Sequence, residues 1–156
     1  MFELHSSFDL LVSVSQFIYN YRQEAGISDS FVINPRIINQ ERGGGILFVW
    51  NDVVKDKPSM VVTNFGIYEL ETQKHTIFYT YEEKVKVVSC SVNPERTLLA
   101  FSIVMSQDSS TEKKPKDVYQ AYLAELQSVD KTLFSLNLER STFLKVQFLY
   151  PDQQRP

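Results

Sequence analysis

The residues able to attack, titrate or ligate are few in this chain, and their spacing decides what each could do. The single cysteine, Cys90, is the natural candidate for a nucleophile. A catalytic thiol needs a base within hydrogen-bond reach, and no signature links either histidine, His5 or His75, to it. Cys90 alternates with Val88 and Val92, so it faces where they face, towards the core. Free cysteine is among the most buried residue types and acts there as a small hydrophobe. Ser89 and Ser91 alternate to the other face, where serine is unremarkable, and no Gly-x-Ser-x-Gly elbow is present.

Other chemistries fare no better. One Cys, two distant His and no acidic run of EF-hand spacing leave no metal ligand set. The stretch "ERGGGILF" (Glu41 to Phe48) has three glycines but no following Lys-Ser/Thr. It also leads into a strand, where a phosphate cradle needs a helix N-terminus. Glu82-Glu83 falls at a strand end and reads as a solvated turn. Asn93-Pro94-Glu95-Arg96 reads as a type I turn, with Pro presetting φ at its second position and Asn bonding its own backbone from the first. The expectation is a non-enzyme with no catalytic, cofactor-binding or metal-binding residue and no cofactor. The sequence names no partner-binding residue.

Totals set the class. A chain of 156 residues suffices for one domain with a real core. An aromatic share of 13% tilts the expectation towards pleated, half-buried surfaces. The net charge of -3 and scattered basic residues argue against nucleic acid, which needs a basic stripe. The densest basic patch, "EKKPKD" (Glu112 to Asp117), carries its own acids and reads as a solvated loop. With one cysteine no intrachain disulfide forms, which fits a reducing compartment. The N-terminal stretch lacks a basic n-region and is broken by Ser6, Ser7, Asp9 and Ser13, a poor signal peptide. No apolar run reaches the roughly 18–20 residues of a membrane span, so no direct membrane insertion is expected. The expected setting is cytosolic or cytosol-facing.

Residues 8–22 fit both a helical stripe (Leu10, Val14, Phe17, Ile18, Tyr21) and a strand (Phe8, Leu10, Val12, Val14). The reading taken is a strand followed by a helical turn, with a connection from Gly26 to about Arg42. Strands are then expected over Gly45–Asp52, Met60–Leu70, His75–Tyr81, Val85–Val92, Leu98–Met105, Val118–Leu126, Thr132–Leu138 and Thr142–Tyr150. A polar loop, "DVVKDKPS", follows the first of these, and a long one spans Ser106–Asp117. About eight short antiparallel strands without a long amphipathic helix between them give an all-β sandwich, barrel or propeller.

A repeat bears on that choice. "VVSCSVNPER" and "KVQFLYPDQQ" are each an apolar strand running into Pro-acid, Pro94-Glu95 and Pro151-Asp152, 57 residues apart. Three strands lie between the copies, which together with the first make one four-stranded propeller blade. The register is imperfect: valines and Cys90 count back in even steps from Pro94, but Phe148, Val146 and Leu144 in odd steps from Pro151. One extra turn residue accounts for this, and so does chance similarity. "FVWND" (Phe48 to Asp52) only looks like a Trp-Asp signature. A partial WD40-like propeller and a two-sheet β-sandwich both remain open. Propellers need about four to eight blades to close. The expectation is therefore that residues 1–156 form a single β-rich domain at the front of a longer propeller-containing protein.

"SCSVNPERTLLAFSIV" (Ser89 to Val104) closely resembles the N-terminal region of the gamma-secretase-activating protein family, also called the pigeon homologues. The likeness takes in Phe8–Leu10, Glu41–Ile46, Phe65–Gln73, Phe78–Val87 and Val146–Pro151, in the same order. These are core and turn residues, and no functional motif is carried over. The resemblance implies a non-enzymatic regulator, associated with the trans-Golgi network. Such a regulator promotes the cut that releases amyloid-β from the amyloid precursor protein's C-terminal stub, by contacting gamma-secretase and that stub while sparing Notch. It also implies a propeller-like N-terminal part. The alternative is a generic β-propeller interaction or trafficking scaffold without a protease link.

Overall fold

The structure, a computed structural model, describes residues 2–27, 32–41, 43–107, 116–127, 132–140 and 142–149, with side chains in the N-terminal helix from Leu10 onward. The chain forms two compact units, divided between Val85 and Lys86.

The first unit opens with a helix, α1 (Phe2–Glu24), in place of the strand expected over the first part of residues 8–22. The strand reading needed Val12 inside beside Leu10 and Val14, yet Val12 is 57% exposed while Val14 and Ile18 are buried. The i, i+3, i+4 stripe wins because it packs on aromatic side chains: Val14, Ile18, Phe48 and Trp50 form one cluster, flanked by Leu10, Phe17 and Tyr21. Tertiary burial, more than propensity, holds a helix with this many serines and valines. Its end is a Schellman cap. Gly26 takes a positive φ of 74°, its N–H donates to Gln23 O, and Ile27 N–H donates to Arg22 O at 2.9 Å; glycine supplies the left-handed residue such a cap requires.

The helix packs on an antiparallel meander, β1 (Arg36–Gln40), β2 (Gly45–Val54), β3 (Lys57–Glu69) and β4 (Lys74–Tyr81), in the order β1-β2-β3-β4. Strand β1 lies inside the stretch read as a connection; it is five residues long and mostly solvent-facing, so it carries little hydrophobic signal. The expected polar loop "DVVKDKPS" shrinks to Lys55 and Asp56, because β2 and β3 continue pairing to Val54↔Lys57. Gly66 faces Phe48 across that pair. A Cβ there would sit 2.4 Å from the Phe48 ring, so the strand glycine is the space the ring fills.

The second unit repeats the meander: β5 (Lys86–Val92), β6 (Leu98–Gln107), β7 (Lys116–Glu125) and β8 (Leu133–Arg140), in the order β5-β6-β7-β8. The β5–β6 turn is as expected, with Arg96 N–H donating to Asn93 O and Arg96 at φ 59° closing it. Asn93 Oδ1 accepts from the N–H groups of both Thr97 and Leu98 at 2.8 Å. Both faces of the inner strands are buried: Leu99, Phe101 and Ile103 on one side of β6, Ala100 and Ser102 on the other. Strand β8 is exposed throughout its described side chains. Among the described residues the architecture is thus all-β apart from α1, with two open antiparallel four-stranded sheets. The last expected strand, described to Leu149, pairs with no other strand among the described residues.

Candidate functional site

The chemistry-bearing residues Cys90 and His75 are each absorbed by their own surroundings. Cys90 is 2% exposed on β5, as a packing residue should be. His75, on β4, is held by α1 and β3: its Nε2 lies 3.2 Å from Ser13 Oγ, its ring stacks on Phe17 at 4.9 Å, and Tyr68 lies at 4.6 Å. Burial lowers its pKa below the ordinary 6.5, which favours the neutral imidazole in this aromatic packing. The side chain of His5 lies outside the described residues, as does most of the basic patch before Asp117.

The triple glycine is a hairpin turn: Gly44 takes φ 90°, its N–H donates to Glu41 O, and Glu41 N–H donates to Gly45 O. The Gly44 amide is thus spent on a backbone carbonyl, and the next element is β2. Glu83 O accepts from Thr63 Oγ1 at 2.8 Å, and the same hydroxyl accepts from Val85 N–H at 3.0 Å, which pins the chain leaving β4. Among the described residues no group of three or more His, Cys, Asp or Glu could hold a metal ion. No helix of the described residues is long and apolar enough to cross a membrane.

A cleft of about 220 Å³ opens beside α1, lined by Ser15, Ile18, Tyr19, Arg22, Ile33 and Pro35. It falls below the roughly 300–1,000 Å³ usual for small-molecule sites. Its one charge is turned away: Arg22 Nε donates to both oxygens of Asp52, at 3.0 and 3.2 Å. Asp52, 1% exposed, also accepts from Val53 N–H at 2.8 Å and from Trp50 Nε1 at 3.4 Å. The Trp-Asp pair of "FVWND" is therefore a latch between β2 and the helix.

The least ordinary arrangement is in the second unit, at serines whose spacing suggested no role. Ser89, Ser91 and Ser102 are at most 6% exposed. The covering element is the segment 142–149. Ser102 Oγ donates to Leu144 O at 2.6 Å, and Ser89 and Ser102 hydroxyls meet at 2.6 Å. Val146 N–H donates to Ser89 Oγ at 2.9 Å, and Phe148 N–H to Ser91 Oγ at 3.1 Å. Phe143 packs edge-on against Tyr119 of β7. Small side chains let a backbone lie close on the sheet, and their hydroxyls satisfy main-chain groups that have no ladder. The serines are thus not on an unremarkable face. The signal that could have found them was the spacing of the two Pro-acid pairs in the sequence: Val146 and Phe148 each lie 57 positions beyond the serine they bond. That the two stretches lie against each other is visible only in the folded chain.

What the molecule offers is packed sheets and surfaces, with no assembled reaction centre among the described residues. No family model matches the chain, and no solved structure matches it. Two curated proteins do. The human gamma-secretase-activating protein is 36% identical over 117 residues, 74% of this chain, and the mouse gamma-secretase-activating protein is 30% identical over 132 residues, 83% of it. The chain spans 13–14% of the length of these two relatives. The resemblance drawn from the hairpin and its flanking strands therefore holds: over most of its length this chain is a homologue of the gamma-secretase-activating proteins.

Proposed function

We propose that this chain is part of a non-enzymatic regulator of gamma-secretase. The regulator acts by binding and promotes release of amyloid-β from the C-terminal stub of the amyloid precursor protein. The observation that carries the reading is the 30–36% identity to two proteins named for activating gamma-secretase, over 74–83% of the chain. The absorption of Cys90 and His75 into packing supports a binding role over a catalytic one. A trans-Golgi setting, where enzyme and stub meet the cytosol-facing regulator, is part of the same reading.

The two four-stranded meanders are the unit from which propellers are built, and we read them as two blades of a propeller-like platform. Such a platform offers edges and loops to partners and does no chemistry itself. Its effect on a protease must come from differential affinity: a modulator redirects an enzyme only by binding one enzyme–substrate state better than another.

The test is a titration of the full-length protein into purified gamma-secretase, with the precursor stub and a Notch stub as competing substrates. The expected result is a rise in amyloid-β output with Notch cleavage unchanged. Unchanged output from both stubs would sink the regulator reading and leave an interaction scaffold without a protease link.

A further inference from the structure

We propose that the buried serines of the second unit form a site that reads the main chain of an extended peptide. Residues 142–149 fill it as a strap, and an extended segment of a partner protein exchanges with them. The inference goes beyond the regulator reading and does not depend on which protease is involved.

The site is a trough in one face of the sheet. Ser89 lies opposite Ser102 and Ser91 opposite Ala100 in the β5–β6 register, and Ala121 lies opposite Ser102 in the β6–β7 register. Cross-strand partners share a face, so these small side chains stand together, none more than 7% exposed. Tyr119 of β7, opposite Val104, stands on the same face two positions from Ala121.

The occupant of the trough shows what it recognises. Ser102 Oγ donates to Leu144 O, so the Ser89 hydroxyl donates to Ser102 Oγ across their 2.6 Å contact and accepts from Val146 N–H. The relay runs from Val146 N–H through Ser89 and Ser102 to Leu144 O, and each link polarises the next. Ser91 Oγ accepts from Phe148 N–H. The groups read are therefore the carbonyl of residue i and the N–H groups of i+2 and i+4. All belong to the main chain, so these bonds set conformation and register while leaving the side chains free to vary. One place earlier, Phe143 adds an anchor, its ring 5.9 Å from that of Tyr119.

The strap is lightly held. Phe143 is 61% and Leu149 90% exposed, and every side chain from 142 to 149 is exposed or half-buried. Lifting it would uncover hydroxyls that need water or another main chain to satisfy them. The geometry names the partner class: an extended peptide, aromatic at i−1, with any residue but proline at i+2 and i+4.

Fluorescence anisotropy tests this, with the full-length protein titrated into a labelled synthetic peptide of residues 142–149. Because the strap competes, the apparent affinity is the intrinsic one reduced by the fraction of open sites. Phe143→Ala in the protein loosens the strap at an exposed position and should tighten peptide binding by at least about threefold. N-methylation of the peptide at Val146 or Phe148 removes a donor that the serines read and should weaken binding by about tenfold or more. The same change at Lys145 should alter it less than about threefold. No binding to either protein, equal effects of N-methylation at all three positions, or an affinity that Phe143→Ala leaves unmoved or weakens would each overturn the proposal. So would a protein dimer whose formation the peptide blocks, since a second copy would then be the occupant. None of these outcomes involves amyloid-β output, so the peptide site and the protease reading fail separately.

Discussion

Removing the Arg22 guanidinium tests whether the helix is latched to β2 as the geometry indicates. Asp52 is 1% exposed and its carboxylate has three donors: Arg22 Nε, Val53 N–H and Trp50 Nε1. The Arg22 side chain is 15% exposed. Arg22→Met keeps much of the apolar stem against the helix and strips the charge partner from a buried carboxylate. Breaking a buried pair from one side costs about 3–5 kcal/mol. The two remaining donors and the partial hydration of Arg22 put this case at the low end, about 3 kcal/mol. A chain of this size loses roughly 2–4 °C of Tm per kcal/mol, which predicts a fall of about 6–12 °C. Trp50 is the single tryptophan and touches the latch itself, so thermal unfolding followed by its fluorescence reads the site directly. The double variant Arg22→Met/Asp52→Asn should recover part of the loss, because the stranded charge is gone. A Tm shift under about 2 °C for Arg22→Met, or a double variant no better than the single one, would refute the reasoning.

Two further outcomes concern the first unit. Gly66→Ala should destabilise by about 1–3 kcal/mol through overpacking, since its Cβ meets the fully buried Phe48 ring at 2.4 Å. The same fluorescence melt checks it, because Phe48 stacks on Trp50 at 5.8 Å. His75, its pKa lowered by burial, should contribute stability that is fully present above the unfolded value of about 6.5 and lost as pH falls through the folded value. The Tm advantage of wild type over His75→Phe should therefore shrink from pH 7.5 to pH 5, and an advantage that grows on acidification would reverse the sign.

How much of this was legible in the sequence depended on whether one segment could be read without its neighbours. The hairpin at Asn93 was, because proline, asparagine and the flanking alternation all act locally. So were β2 to β8 as elements, to within a few residues at their ends. Helix α1 was not: Leu10 and Val14 belong to both the 2-residue and the 3.6-residue pattern, and only the aromatic surface of Phe48 and Trp50 decides between them. Strand β1, short and mostly exposed, has no core face to announce it. The serines fall in the same class. Ser89 and Ser91 look like outward positions of a half-buried strand until a second backbone lies over them.

That last case bears on function. A buried serine row is an odd choice for a sheet that needs only to be packed, where valine or alanine would serve. It suits a sheet that must hold a further stretch of main chain against its face, since hydroxyls satisfy amides that no ladder reaches. Ser91→Val would introduce a β-branched residue that suits a strand while removing the acceptor for Phe148 N–H and adding bulk beneath the segment. The segment should then lift while β5 to β8 stay paired. The readout is amide exchange: faster at 146 and 148, unchanged at Phe101 and Tyr122 within the sheet. Equal loss of protection at all four would mean that the serines hold the sheet itself together and that the segment is only one of its parts.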